Sequence, residues 1–286
     1  MDYALQIQHL QKDYSGFSLK DISLALPKGC IMGLIGENGA GKSTTFKCIL
    51  DLIHPDHGSI TFDNRLLKED PLELKEELGV VFDELNFHET LTPKQIGSIC
   101  ASTYRTWDTK VYENYLNTFS LPPTKELKTF SKGMQVKLSL SVALSHHPKL
   151  LLLDEATSGL DPVMRDDILD IFLDFVQDEE HSILISSHIT TDLEKVADYI
   201  AFIHEGHLIF SEKKDTLIYN YGIIRCGSAF YDTIDPADII ACRKTDYQWN
   251  VLVCDKQEAA LKYKDVVIDH ATIDEIMLLY VKGESK

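Results

Sequence analysis

Eight residues, GENGAGKS from Gly36 to Ser43, constrain this chain more than any other stretch. They fit the pattern G-x-x-x-x-G-K-[ST] and follow directly on an apolar, strand-like segment, IMGLI at 31–35. After them Phe46, Ile49, Leu50 and Ile53 recur at i, i+3, i+4 and i+7, the spacing of an amphipathic helix. Strand, glycine-rich turn and helix in that order make a phosphate cradle. The glycines let backbone N–H groups point inward at a helix N-terminus, where anions are favoured. The candidate binding residues are Gly36, Asn38, Gly39, Ala40, Gly41, Lys42, Ser43 and Thr44. Lys42 would bring a point charge to the β- and γ-phosphates, and the Ser43 hydroxyl would reach Mg²⁺.

A second apolar segment, LLLLDE at 150–155, ends in two carboxylates, and a third, SILISS at 182–187, has the same character. Both read as buried parallel strands. A strand ending beside a phosphate cradle places Asp154 to serve the Mg²⁺ shell, and Glu155 to orient or deprotonate the attacking water.

The rest of the chain sets limits. It has 286 residues, 28 Lys plus Arg against 45 Asp plus Glu, and a formal net charge of −17, which opposes a bulk electrostatic grip on nucleic acid. The longest apolar run is Ile276–Val281, far short of the ~20 residues that cross a bilayer as a helix. The first residues lack a basic segment followed by an apolar one, so the expected location is cytoplasmic. The six cysteines show no metal-ligand spacing, and His54 and His57 lie among Pro55, Asp56 and Gly58, which reads as a turn. Residues 86–147 are polar and poor in strands, although the alternation from Met134 to Val142 reads as a strand by periodicity alone. SEKKD at 211–215 marks a boundary. Beyond it IIRC, DIIACRKT, WNVLVCD and VVIDH suggest short strands, with helices near 256–263 and 272–282.

TFSKGMQVKLSL, then LLLLDEATSGLDP, then SSH, resembles the ATP-binding cassette (ABC) ATPases. Their signature is written LSGGQ; here it reads Phe130-Ser131-Lys132-Gly133-Met134, with one Gly and the final Gln replaced by Lys132 and Met134. It lies 23 residues before Asp154, as in the family, and S-K-G-M signatures resemble those of bacterial ABC-2-type exporters. The resemblance turns the stretch after Gly133 into a helix. It implies that Ser131 and Gly133 face nucleotide held by the other protomer, that Asp161 in Ser158-Gly159-Leu160-Asp161 belongs to a loop at the dimer seam, and that His188 contacts the γ-phosphate. It also implies that Tyr14 stacks on adenine. Asp83, in Leu78-Gly79-Val80-Val81-Phe82-Asp83-Glu84, stands where the family carries a metal-touching Gln. The closing ATIDEIMLLYVKGE resembles the YtrB-like and phenol-soluble-modulin exporter branch.

The resemblance implies an α/β fold: a P-loop ABC ATPase core over residues 1–215, with a β-rich N-terminal part and an inserted helical subdomain at about 86–147, and a small C-terminal α+β appendage at 216–286. The implied catalytic residues are Glu155 and His188, the metal residues Ser43, Asp154 and Asp83, and the cofactors ATP and Mg²⁺. The chain would dimerise on ATP, with itself or a second ATPase subunit, and would power a separate transmembrane permease in export. It would sit at the cytoplasmic face of a bacterial membrane through that permease, without nucleic acid. The competing reading is a soluble ABC ATPase in repair, translation or cofactor assembly, against which stands the lack of a tandem cassette or coiled-coil insertion. A P-loop kinase or GTPase would leave the signature unexplained, and no N-K-x-D motif is present.

Overall fold

In the computed structural model, which describes residues 2–69 and 71–285, two kinds of strand arise from two kinds of sequence. Strands β1 (Tyr3–Tyr14) and β2 (Phe17–Pro27) are antiparallel, and alternate residues of β2 such as Ile22, Leu24 and Leu26 are buried. That is the pattern of a sheet with one face inward. After β3 (Ile31–Ile35) and α1 (Lys42–Ile49), strands β4 (His57–Phe62) and β5 (Arg65–Leu66) join that sheet, in the order β2-β1-β4-β5. Asp63 and Asn64 both take positive φ in the tight β4–β5 turn, as a two-residue hairpin demands.

The second sheet is built from continuous apolar runs. After α2 (Pro71–Glu76), β6 (Leu78–Val81) leads to α3 (Pro93–Thr103), α4 (Thr109–Thr118) and α5 (Lys132–Leu144). Then follow β7 (Leu150–Asp154), α6 (Pro162–Phe175), β8 (Ser182–Ser186), α7 (Thr190–Val196), β9 (Tyr199–His204) and β10 (His207–Lys213). The sheet order is β10-β9-β3-β8-β7-β6, with β3, β6, β7, β8 and β9 parallel where paired. Both of its faces are covered, which is why β3 and β8 are buried throughout and β7 up to Asp154. The two sheets share one core, a cluster in which Phe46 of α1 is buried together with Leu10, Leu26, Leu34, Leu152 and Ile203.

One expectation needs correction. The helix after the glycine-rich turn ends at Ile49, because Asp51 adopts a left-handed φ of 55° and the chain turns toward β4, so Ile53 lies outside it. The stretch Met134–Val142 lies in helix α5, as the resemblance implies and against the reading by periodicity alone. Neighbours surround α5, burying Val136, Leu138, Leu140, Val142, Ala143 and Leu144, and an all-round buried helix loses its 3.6-residue signature. The chain divides into two compact units between Ile209 and Phe210, next to the charged stretch at 211–215.

Helices α3, α4 and α5 share a small core of their own, around Ile96, Tyr112, Leu116, Phe130 and Leu138. A capping box of Thr92 and Gln95 starts α3, and Asp108 caps α4. In the unit from Phe210 onward, β11 (Gly222–Cys226), α8 (Ser228–Tyr231), β12 (Ala241–Lys244), β13 (Trp249–Val253), α9 (Lys256–Lys262), β14 (Ile268–His270), α10 (Ile273–Lys282) and β15 (Glu284–Ser285) make an α+β unit. Its sheet runs β14-β11-β13-β12-β15. His54 pairs with Asp51 in the turn before β4, and His57 opens that strand. Cys48 and Cys100 are buried, which pushes each thiol up to about 11.

Phe46 joins the helix behind the phosphate cradle to both sheets. Phe46→Ala is expected to cost roughly 3–5 kcal/mol of stability in urea denaturation followed by circular dichroism. A loss under about 1 kcal/mol would show that this contact does not hold the sheets together.

Candidate functional site

The glycine-rich turn is held open by close backbone approaches. A Cβ at Gly36 would overlap the Ile203 carbonyl oxygen, and Gly41, at φ 121°, lies against Leu19 and the Phe17 ring. No side chain caps α1, so the first N–H groups of the helix face the turn without a side-chain acceptor. Lys42 is 6% exposed, and its ammonium donates to the carbonyls of Gly36 at 2.8 Å and Glu37 at 3.3 Å. Burial lowers its pKa, while Glu155, with Oε1 at 3.8 Å, and Asp154 pull it back up.

Strand β7 delivers the carboxylates. Ser186 of the neighbouring β8 donates its hydroxyl to Asp154 Oδ1 at 2.5 Å, and its oxygen accepts the Glu155 N–H at 3.1 Å. Glu155 turns out of the strand with φ 55° and meets His188 Nδ1 with Oε2 at 2.5 Å. His188 follows β8, so two adjacent parallel strands end in a paired carboxylate and imidazole.

These groups converge on one cleft of about 700 Å³. It is lined by Asn38, Gly39, Gly41, Lys42, Ser43, Thr44, Asp83, Glu155 and His188, by Ser158 of the loop that leads to Asp161, and also by Gly16, Phe17 and Glu37, which sequence reasoning did not offer as site residues. Gly36 and Ala40 form the frame of the turn; the Ala40 amide donates to the Glu37 carbonyl. Tyr14 does not line the cleft. It ends β1, 42% exposed, with the Lys12 ammonium 5.7 Å from its ring centre, and Phe17 is the aromatic at the cleft wall. The Phe17 signal was present in the sequence as an aromatic three residues past Tyr14.

Ser131, Gly133 and Asp161 lie away from the cleft wall. Ser131 accepts the Met134 N–H at 3.3 Å and caps α5. A Cβ at Gly133 would overlap the Met164 sulfur of α6, so the Met164 side chain packs directly over this glycine. Asp161 caps α6, accepting from the N–H groups of Val163 and Met164 at 3.1 Å each.

The donors expected for a cation are all oxygens: the Ser43 hydroxyl and the Asp83 carboxylate on the cleft wall, and the Asp154 carboxylate at the end of β7. Among the described residues no group of three or more His, Cys, Asp or Glu side chains is arranged to hold a metal ion. A cation here would take its remaining oxygens from phosphate and water, which is how Mg²⁺ binds.

Residues 19–158 match the family model described as ABC transporter. The chain is 35% identical over 205 residues to the ABC transporter ATP-binding protein YtrB of Bacillus subtilis, covering 71% of this chain and 70% of that protein. It is 34% identical over 214 residues to the lantibiotic transport ATP-binding protein SrtF of Streptococcus pyogenes, covering 74% and 91%. A solved structure described as an ATP binding subunit of an ABC transporter superposes with a TM-score of 0.69 at 27% identity, covering 75% of this chain and 91% of that one.

The buried Lys42 ammonium is a stability cost carried for ligand binding. Lys42→Met is expected to leave the nucleotide-free protein as stable or up to about 2 kcal/mol more stable in urea, since apolar replacement of a buried charge is often neutral or stabilising. Binding of a nucleoside triphosphate, followed by a fluorescent analogue, should fall at least about tenfold. Clear destabilisation together with unchanged binding would reverse that assignment.

Proposed function

Because the chain belongs to the ABC transporter ATP-binding proteins, with an ABC ATPase fold, we propose that its cleft binds ATP with Mg²⁺ and that Glu155 and His188 turn it over to drive export through a partner permease. The protein is an ATP-hydrolysing subunit of a transporter and works with a membrane permease and as a dimer. No helix among the described residues is long and apolar enough to cross a membrane, so the pathway is the permease's contribution.

The observation that carries the catalytic reading is the junction of β7 and β8, where the cradle lysine, Glu155 and His188 face one cleft. The open N–H groups of the turn and the Lys42 ammonium bind the phosphates. Glu155, oriented by His188, takes the proton of the attacking water. Ser43 and Asp154 would hold Mg²⁺, with Asp83 at its edge, and the ion supplies charge neutralisation on the phosphates. Phe17 at the cleft wall offers the aromatic face on which the base stacks, with Tyr14 paired to it across the β1–β2 turn. The Ser131 and Gly133 turn opens α5 as a helix N-terminus offered to the partner's nucleotide, and the loop around Asp161 follows the seam. Residues 216–286 form an accessory domain, and the permease brings the protein to the cytoplasmic face of the membrane. The likeness to a protein named for lantibiotic transport supports the transport role.

Glu155→Gln should retain ATP binding and lose at least about a hundredfold in turnover, because an amide cannot accept the water's proton. The variant should accumulate as an ATP-bound dimer in size-exclusion chromatography. Hydrolysis at the normal rate would remove Glu155 from the catalytic role. The composite site makes a second demand: Ser131→Arg protein mixed with Lys42→Ala protein should leave at most one complete site per mixed dimer. Two functioning sites in that dimer, counted by single-turnover hydrolysis, would contradict the shared geometry.

A further inference from the structure

Two departures from the family pattern, far apart in the sequence, meet in space. Asp83 stands where the family has a neutral Gln, and Lys132 stands where the signature has a Gly. The Lys132 ammonium donates to Asp83 Oδ1 at 2.6 Å and also to the Asp83 backbone carbonyl. Asp83 lines the nucleotide cleft, and Lys132 is the first residue of α5, directly after the cap Ser131.

Each residue alone is badly placed. A carboxylate on the wall of a cleft that takes a polyphosphate repels the ligand. A lysine in the first turn of α5 sits at the positive end of a helix dipole, where cations are disfavoured. Together they cancel, and neither side chain has another ion pair among those found in the described residues. Asp83 is about half exposed and Lys132 about one-third, so the pair can open without tearing a core.

We infer that Lys132 is a positioning residue that neutralises Asp83 and ties the metal edge of the nucleotide cleft to the signature turn, in a latch that Mg²⁺–nucleotide loading opens. A metal ion and the Lys132 ammonium compete for the single negative charge of the Asp83 carboxylate. While the latch is closed, Lys132 screens phosphate from the Asp83 charge. When the cation arrives with the nucleotide, Asp83 gains a competing partner and Lys132 is released at the N-terminus of α5. A chain that has loaded its own cleft thereby changes the charge at the turn it offers to its partner. This rests on the ATP-binding reading above.

The test is the metal dependence of binding, measured on the full-length protein as the ratio of Kd in EDTA to Kd in Mg²⁺ for a fluorescent ATP analogue. Lys132→Gln leaves Asp83 uncompensated, so binding should weaken in EDTA and strengthen in Mg²⁺, raising the ratio about tenfold. Lys132→Arg should keep the wild-type ratio. Asp83→Gln should lower the ratio, and adding Lys132→Gln to it should change nothing further. Lys132→Gln removes a cation from a helix N-terminus, so α5 should keep its circular dichroism signal. An unchanged ratio in Lys132→Gln, or an equal rise in the Asp83→Gln background, would overturn the latch. Failure of the wild-type protein to bind the analogue at all would instead strike the ATP-binding reading.

Discussion

An ammonium that is almost wholly buried needs oxygens around it, and the placement of Lys42 governs much of the first unit. Its partners in the protein are two carbonyls of its own turn and a carboxylate at 3.8 Å. The carbonyls are available only because the turn curls tightly against Ile203 and Leu19. The carboxylate is there only because β7 lies two places from β3 in the parallel sheet, with β8 between them. Burial lowers the lysine's pKa, and the nearby Glu155 and Asp154 carboxylates offset that only in part.

The strand between them is more than a spacer. Ser186 at the end of β8 binds Asp154 with its hydroxyl and accepts the Glu155 amide, and the next turn carries His188 to the Glu155 carboxylate. The left-handed φ of Glu155 lifts its side chain out of the sheet plane toward the cleft. Such a conformation is costly for a non-glycine residue and is maintained by the surrounding bonds. The chemistry therefore depends on the registration of two parallel strands, which backbone hydrogen bonds and the packed faces of the sheet hold rigid.

The helical insertion carries the turn proposed to act on the partner's nucleotide. Its own core keeps α3, α4 and α5 together. The contact of Gly133 with Met164 seats the signature turn against α6, the helix that Asp161 begins. The loop at the expected dimer seam and the turn expected to face the partner's nucleotide are thus joined through two helix starts.

Much of this was legible as local pattern. The glycine-rich turn, the apolar runs ending in Asp154-Glu155 and before His188, and the cap residues at Ser131 and Asp161 are each written within a few neighbouring positions, because backbone geometry and strand burial are dictated locally. The helical state of α5 was not legible from periodicity, since burial on all sides erased it, and the family resemblance had to supply it. Only the tertiary structure decided that Ser186 supports both carboxylates, that Phe17 and not Tyr14 faces the cleft, and that Lys132 reaches Asp83. Those relations join residues dozens of positions apart on different strands and helices, and no local period encodes which distant side chains the packing of a sheet against its helices will bring within hydrogen-bonding distance.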